Sequence, residues 1–336
     1  MIIIVDAMGG DHAPAEVVRA SVRAVQDFDI KVLLVGKEDA IKRELANCKY
    51  NSDRIIVHHA EEVITNDESP TKAIKAKKDS SMVVGFKLLK EGKGDAFVSA
   101  GSTGALLAGA LLLIGRIKGV DRPALTPVLP TDKGCTLLVD AGANTNCKPE
   151  NFLQFGIMGS AYMKKVLGVA KPRVGLVNVG TEEGKGTDVV KSSYTLLENA
   201  PLHFIGNIEA REIPKGDVDV IVCDGFVGNV ILKLFEGMGM TFYANMKALF
   251  TKNIFTYLAA ILVKSGLKAF KKKMDYSEYG GAPLLGIDGV VIKAHGSSDS
   301  QAFYSAIRQT KVFVETGVIE EIKEYICKEP AEQGRA

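Results

Sequence analysis

Short apolar runs recur along the chain, each followed by a polar, glycine-bearing turn and usually then by residues at helical spacing. Ile2-Ile3-Ile4-Val5 leads into Asp6-Ala7-Met8-Gly9-Gly10-Asp11-His12, and Ala96-Phe97-Val98 into Ser99-Ala100-Gly101-Ser102-Thr103-Gly104. Leu137-Leu138-Val139 leads into Asp140-Ala141-Gly142-Ala143-Asn144. Leu176-Val177-Asn178-Val179 leads into Gly180-Thr181-Glu182-Glu183-Gly184-Lys185-Gly186-Thr187, and Val220-Ile221-Val222 into Cys223-Asp224-Gly225-Phe226-Val227-Gly228-Asn229. Apolar strands alternating with helical stretches predict an α/β fold. Ligands of an open parallel sheet bind beyond the carboxyl ends of its strands. The five turns are therefore expected along one edge, as a site for a small anionic group.

Between these units, Ala15 to Gln26 has helical spacing after Pro14, a residue suited to opening a helix. Lys31 to Val35 and Arg54 to Val57 read as strands, Thr71 to Lys90 as one lysine-bearing helix, and Ala105 to Ile114 as a short helix apolar on nearly every face. Further on come a helix over Asp188 to Glu198, a strand near His203 to Ile205, a long helix from Asn229 and a final amphipathic helix over Ser298 to Glu315. No linker-like stretch divides the chain, so residues 1–329 form one α/β unit or two closely joined lobes, and residues 330–336 are expected to be a disordered tail. Leu249 to Met274 breaks the rhythm: Phe250, Ile254, Leu258, Ile261 and Leu262 are followed by Lys264, Lys268, Lys271, Lys272 and Lys273. This is either a buried hairpin with a solvated end or, the favoured reading, an apolar tip that enters a bilayer surface with lysines facing anionic headgroups.

Composition narrows the classes. With 336 residues, 46% hydrophobic, 24% charged and a net charge of +2, the chain resembles an ordinary globular protein. Nothing in it suggests nucleic acid. Five scattered cysteines without a C-x-x-C pair fit reduced thiols, and the five histidines form no ligand array, so no metal is expected. The N-terminus enters a strand without a signal-like segment, and no apolar run approaches the ~20 residues that span a bilayer. A cytoplasmic protein is expected.

Glycine turns ahead of helices suit anions, because free backbone N–H groups can approach the ligand. The Ser99–Gly104 turn adds the hydroxyls of Ser102 and Thr103 beside Gly101; phosphate contact is favoured there over a plain helix cap. The Gly180–Thr187 loop is not a Walker A motif, since three residues separate Gly180 from Gly184 and Gly186 follows Lys185. Gly237-Met238-Gly239 lacks the third glycine of a dinucleotide fingerprint. Lys185 is read as a mobile cation for substrate in preference to a solvated loop tip. Asp6, Asp11 and His12, which flank Gly9-Gly10, could orient a nucleophile or accept a proton, while Asp11 could simply cap a helix. Asp140 with Asn144, and Asp224 with Asn229, either meet substrate or tie loop amides together. His295, in Ala294-His295-Gly296-Ser297-Ser298, follows another apolar run, Val290-Val291-Ile292.

Taken together, DAMGGDHAP at Asp6–Pro14, SAGSTGA at Ser99–Ala105, DAGAN at Asp140–Asn144, GTEEGKG at Gly180–Gly186, CDGFVGN at Cys223–Asn229 and AHGSS at Ala294–Ser298 closely resemble the PlsX-type phosphate acyltransferases of bacterial phospholipid synthesis. The resemblance runs from about Ile2 to about Tyr325. It implies a three-layer α/β/α sandwich with a mostly parallel sheet, similar to the isopropylmalate dehydrogenase and phosphotransacetylase group. It also implies a homodimer, peripheral on the inner face of the cell membrane, without a cofactor. The implied reaction moves a long-chain acyl group from acyl-carrier protein to inorganic phosphate, and the acyl phosphate then serves the membrane acyltransferase PlsY.

Such chemistry needs no covalent enzyme intermediate, because phosphate is already a competent nucleophile and a thiolate leaves readily. It needs phosphate held in line and the tetrahedral oxyanion neutralised. On this reading Lys185, His12 and Asn229 are the catalytic candidates. Asp6, Gly10, Gly101, Ser102, Thr103, Asn144, Asp224 and His295 are the candidates for phosphate and substrate binding. A ping-pong route through Cys223 is disfavoured, because a thiol ending an apolar strand is expected to be buried and inert. Acidic carrier protein would dock on Lys72, Lys75, Lys77 and Lys78, or on Lys268 and Lys271 to Lys273. Two rival functions keep part of this reading: an NAD(P)-dependent decarboxylating dehydrogenase of the same fold, for which no arginine cluster is found, and a membrane-surface scaffold.

Overall fold

The structure, a computed structural model, describes residues 1–274 and 280–332. Its elements, in order, are β1 (Ile2–Asp6), α1 (Ala15–Asp27), β2 (Lys31–Gly36), α2 (Glu38–Leu45), β3 (Ile55–His59), α3 (Pro70–Ala76), α4 (Ser81–Lys90), β4 (Ala96–Ser99), α5 (Thr103–Gly109), β5 (Ala124–Leu125), β6 (Val128–Thr131) and β7 (Gly134–Val139). There follow α6 (Pro149–Val166), β8 (Arg173–Val177), α7 (Asp188–Glu198), β9 (His203–Ile208), β10 (Val220–Val222), α8 (Gly225–Phe250), α9 (Ile254–Leu262), α10 (Lys264–Met274), β11 (Ala282–Leu285), β12 (Val290–Lys293), α11 (Ser300–Thr316) and α12 (Val318–Glu332).

The strands form two sheets rather than one, which corrects the expectation of a single loop-bearing edge. The first has the order β3-β2-β1-β4-β12-β11-β5 and the second β6-β7-β10-β8-β9. Strands β3, β2, β1, β4 and β12 run parallel, as do β7, β10, β8 and β9, and only β11, β5 and β6 pair antiparallel with their neighbours. The glycine turns thus fall into two groups of three on adjacent strands. Those after β1, β4 and β12 belong to the first sheet, and those after β7, β10 and β8 to the second.

The chain crosses between the sheets at Leu125 to Val128, and Asp140 joins the crossing to the second sheet. Its carboxylate accepts the N–H of Leu125 (2.9 Å) while the Ala141 N–H donates to the Leu125 carbonyl (2.9 Å). One core cluster contains residues of β1 and β4 from the first sheet and of β7, β8 and β10 from the second, together with α1, α6, α11 and α12. On the opposite faces, α3, α4 and α5 cover the first sheet, and the start of α8 covers the second. Each sheet therefore lies between helical layers. The continuous apolar runs that predict strands reflect burial on both faces, as parallel strands demand.

Several boundaries differ from expectation. The single helix over Thr71–Lys90 is two, because Ser80 caps α4, its hydroxyl accepting the Val83 N–H, while its own N–H donates to the Lys77 carbonyl. Residues Ala110–Ile114 continue α5 as a π-helical turn. The long helix starts at Gly225, because Asp224 is its N-cap. The helix α11 is not final: Gly317, at φ +64°, ends it and α12 follows. The expected tail falls partly within α12, and residues 333–336 lie outside the described residues.

Candidate active site

A cavity of about 320 Å³ opens between the two sheets. Thr103, Asn229, Lys233, Glu236, Lys293 and His295 provide its polar lining, and Leu107, Leu125, Pro127, Val128, Leu129 and Leu232 an apolar wall. The helix α8 supplies one face by spacing alone: Asn229, Leu232, Lys233 and Glu236 stand at i, i+3, i+4 and i+7. That helix approaches the β7 loop very closely. A Cβ at Gly228 would stand 1.8 Å from the Asp140 carbonyl oxygen, so only glycine fits there.

From the first sheet, Asp6 is buried beneath the turns. It accepts hydrogen bonds from Ser99 Oγ (2.7 Å) and the Met8 N–H (3.1 Å), and Ser99 Oγ accepts the Gly101 N–H (3.0 Å). Burial raises the Asp6 pKa, against which hydrogen bonding by Ser81, Ser99 and the Met8 and Gly9 N–H groups acts. Gly10, at φ +103°, lets the β1 turn approach Ala100 and the Gly296 carbonyl, which accepts the Asp11 N–H (2.8 Å). Ser102 caps α5 through the Ala105 N–H. The next residue, Thr103, reaches the cavity.

The second sheet's aspartates brace the loops. Asp140, also raised in pKa by burial, accepts the N–H groups of Leu125, Ala143 and Asn144 and the side-chain amide of Asn144. Asn144 in turn donates to the Pro123 carbonyl (2.7 Å), and its own carbonyl accepts the Gly225 N–H (2.7 Å). Asp224 accepts the Val227 N–H (2.9 Å).

The structure therefore brings Thr103, Asn229 and His295 to one cavity, with Gly101 and Ser102 in the adjoining turn and Asp6 and Gly10 behind it. Asn144 and Asp224 are engaged in bracing. His12 and Lys185 are exposed on their loops and stand outside the cavity lining. Cys223 is 2% exposed, and burial first, then Asp140 and Asp224, holds its thiol pKa well above the ordinary value.

Three of the polar lining residues are not among the candidates from sequence: Lys233, Glu236 and Lys293. Lys233 and Glu236 carried the signal of helical spacing from Asn229, and Lys293 that of a charge ending the apolar run Val290-Val291-Ile292. Lys233 donates to Glu236 (2.9 Å). His295 Nδ1 lies 2.9 Å from Ser297 Oγ and accepts the Ser297 N–H (3.3 Å), which leaves the proton on Nε2, 3.8 Å from Glu236. Burial, with Lys233 and Lys293 adding to it, lowers the His295 pKa, so the ring is neutral near pH 7.

The segment singled out for membranes is exposed. Ile254, Leu258, Ile261 and Leu262 face solvent, Leu262 at 86%, and Phe250 is half-buried; α9 contains no buried residue. No helix among the described residues is long and apolar enough to cross a membrane. The side chains of Lys271 to Lys273 lie outside the described residues.

Comparison with known proteins shows the family of the chain. The sequence profile of the family described as "Fatty acid synthesis protein" matches residues 1–321. The chain is 57% identical over 324 residues to a phosphate acyltransferase of Alkaliphilus oremlandii, covering 96% of this chain and 97% of that one. It is 52% identical over 325 residues to a phosphate acyltransferase of Acetivibrio thermocellus, covering 96% of each. Among solved structures, a phosphotransacetylase from Streptococcus pyogenes superposes with a TM-score of 0.65 over 94% of each chain at 16% identity, a likeness of fold. With a family match over residues 1–321 and relatives above half identity, the chain belongs to the fatty acid synthesis protein family and, within it, to the phosphate acyltransferases.

Proposed function

We propose that this protein transfers a long-chain acyl group from acyl-carrier protein to inorganic phosphate, releasing acyl phosphate for phospholipid synthesis. The observation that carries the reading is one cavity lined both by cationic and amide groups and by six apolar side chains, in a chain whose relatives are phosphate acyltransferases. A phosphate oxygen attacks the thioester carbonyl carbon, and the tetrahedral oxyanion collapses with loss of the pantetheine thiolate. The proton carried by phosphate ends on the released thiol, so charge and atoms balance without a covalent enzyme intermediate. Asn229, Thr103 and the neutral His295 are donors for the oxyanion and phosphate, and Lys185 approaches from the β8 loop as a further cation. The raised pKa of Cys223 supports direct attack over a thiol intermediate.

Two surfaces extend the reading. The exposed Lys72, Lys75 and Lys78 stand on or just after α3, which packs against α5 next to the Thr103 turn, and so could receive an acidic carrier protein near the cavity. The exposed apolar α9 suits a membrane surface, where the lipophilic product would pass to PlsY, or a homodimer contact.

The test mixes purified protein with acyl-carrier protein thioester and phosphate. The expected result is phosphate-dependent release of free thiol with a hydroxylamine-reactive acyl product. Thiol release that does not depend on phosphate would exclude the reaction.

A further inference from the structure

Lys293 ends β12, directly opposite Ser99 of β4 in the parallel register. It is 9% exposed, yet it lines the cavity. Its ammonium donates to the carbonyl of Ala100 (3.2 Å) and to that of Ala294. A lysine ammonium has three N–H donors, so these two carbonyls leave one for a ligand. Burying such a charge is costly unless it is paired. The carboxylates that act on it electrostatically are Asp6 and Asp11, on the β1 side. Across the cavity, Lys233 is paired with Glu236, and His295 is neutral near pH 7. Lys293 is thus a rigidly held cation whose hydrogen bonds go to main-chain carbonyls.

We propose that Lys293 is a catalytic residue of this enzyme, binding the inorganic phosphate in the cavity through its ammonium. This rests on the phosphate acyltransfer reading and adds to it the group that recognises the nucleophile. A compact point charge suits a tetrahedral anion approached from one side. The two carbonyls set the position of that charge before phosphate arrives, so little ordering is left to the binding step. Burial, with Lys233 adding to it and Asp6 and Asp11 opposing, pushes the pKa of Lys293 down to about 8. In the free protein the charge is therefore lost on the alkaline side of neutrality, and bound phosphate retains it.

The experiment compares wild type with Lys293→Met and Lys293→Arg in steady-state kinetics with acyl-carrier protein thioester and inorganic phosphate. Lys293→Met is expected to raise the KM for phosphate, or lower kcat/KM for phosphate, by roughly tenfold to a hundredfold, the loss of one charge-assisted hydrogen bond. The KM for the thioester stays within about twofold. Lys293→Arg recovers part of the loss and removes the decline in kcat/KM for phosphate as pH rises through about 8. A kcat/KM for phosphate unchanged in Lys293→Met would overturn the assignment while leaving the reaction itself intact, whereas an inactive wild type would instead overturn the reaction. A second measurement uses unaltered protein, should the variant not fold. Cyanate labelling of Lys293, read by peptide mass spectrometry, should slow several-fold in inorganic phosphate, and an unchanged labelling rate would equally overturn the proposal.

Discussion

The proposed phosphate site involves two lysines of opposite character, one lining the cavity and one outside it. Lys293 is buried and held by carbonyls, whereas Lys185 is exposed on the β8 loop, where the Asn178 amide donates to its carbonyl (3.0 Å). If Lys185 meets phosphate by loop movement, Lys185→Ala lowers kcat by about 10²-fold or more, as removal of one oxyanion donor does. Near-normal turnover would take it out of the machinery and leave the cavity charge to Lys293 and Lys233. Lys293 also makes folding depend on pH. Its pKa is about 8 in the fold against 10.5 for the free side chain, so between these values the unfolded chain holds a proton that the folded chain lacks. Stability contributed at this site therefore rises with pH across that window and is lowest below about 8. Denaturant unfolding at pH 7 and pH 10 should show wild type gaining relative to Lys293→Met, and equal differences at both pH values would show that the lysine is not depressed.

At the scale of elements, α8 joins chemistry to surface. Its first turns place Asn229, Lys233 and Glu236 on the cavity, and its later turns lead to the exposed α9. The double substitution Leu258→Asp, Leu262→Asp should abolish sedimentation with anionic lipid vesicles while the melting temperature stays within about 2 °C, since surface changes away from buried contacts cost little. Undiminished sedimentation would assign that face to something other than lipid. Most elements were legible in the sequence because burial of parallel strands writes itself as runs such as Ile2 to Val5 and Val220 to Val222. What was not legible had local causes. The cap at Ser80 split one lysine-rich pattern into two helices, and Gly317 separated α11 from an unforeseen α12. Of the site, Thr103, Asn229 and His295 could be named because hydroxyl, amide and imidazole groups at strand ends suggest chemistry. Lys293 could not, because its role arises from the Ala100 and Ala294 carbonyls, one of which lies 193 residues away in sequence. Asp140 with Asn144 reads either way from sequence for a related reason: an aspartate that organises loop amides and one that meets a ligand have the same sequence context.

For the whole molecule, the arrangement follows from two sheets set side by side. Neither sheet alone makes the site. The first brings Thr103, Lys293 and His295, the second brings Asn229 through α8, and the β5 to β6 crossing supplies the apolar wall from Leu125 to Leu129. In the proposed reaction a nucleophile and an acyl chain occupy this cavity together, and the burial of Cys223 speaks against their taking turns through that thiol. Initial rates measured over a matrix of acyl-carrier protein thioester and phosphate concentrations examine this point directly. Double-reciprocal lines that intersect, with no acyl group found on the protein by mass spectrometry, are the result expected for attack by phosphate within a ternary complex. Parallel lines together with an acylated Cys223 would contradict it.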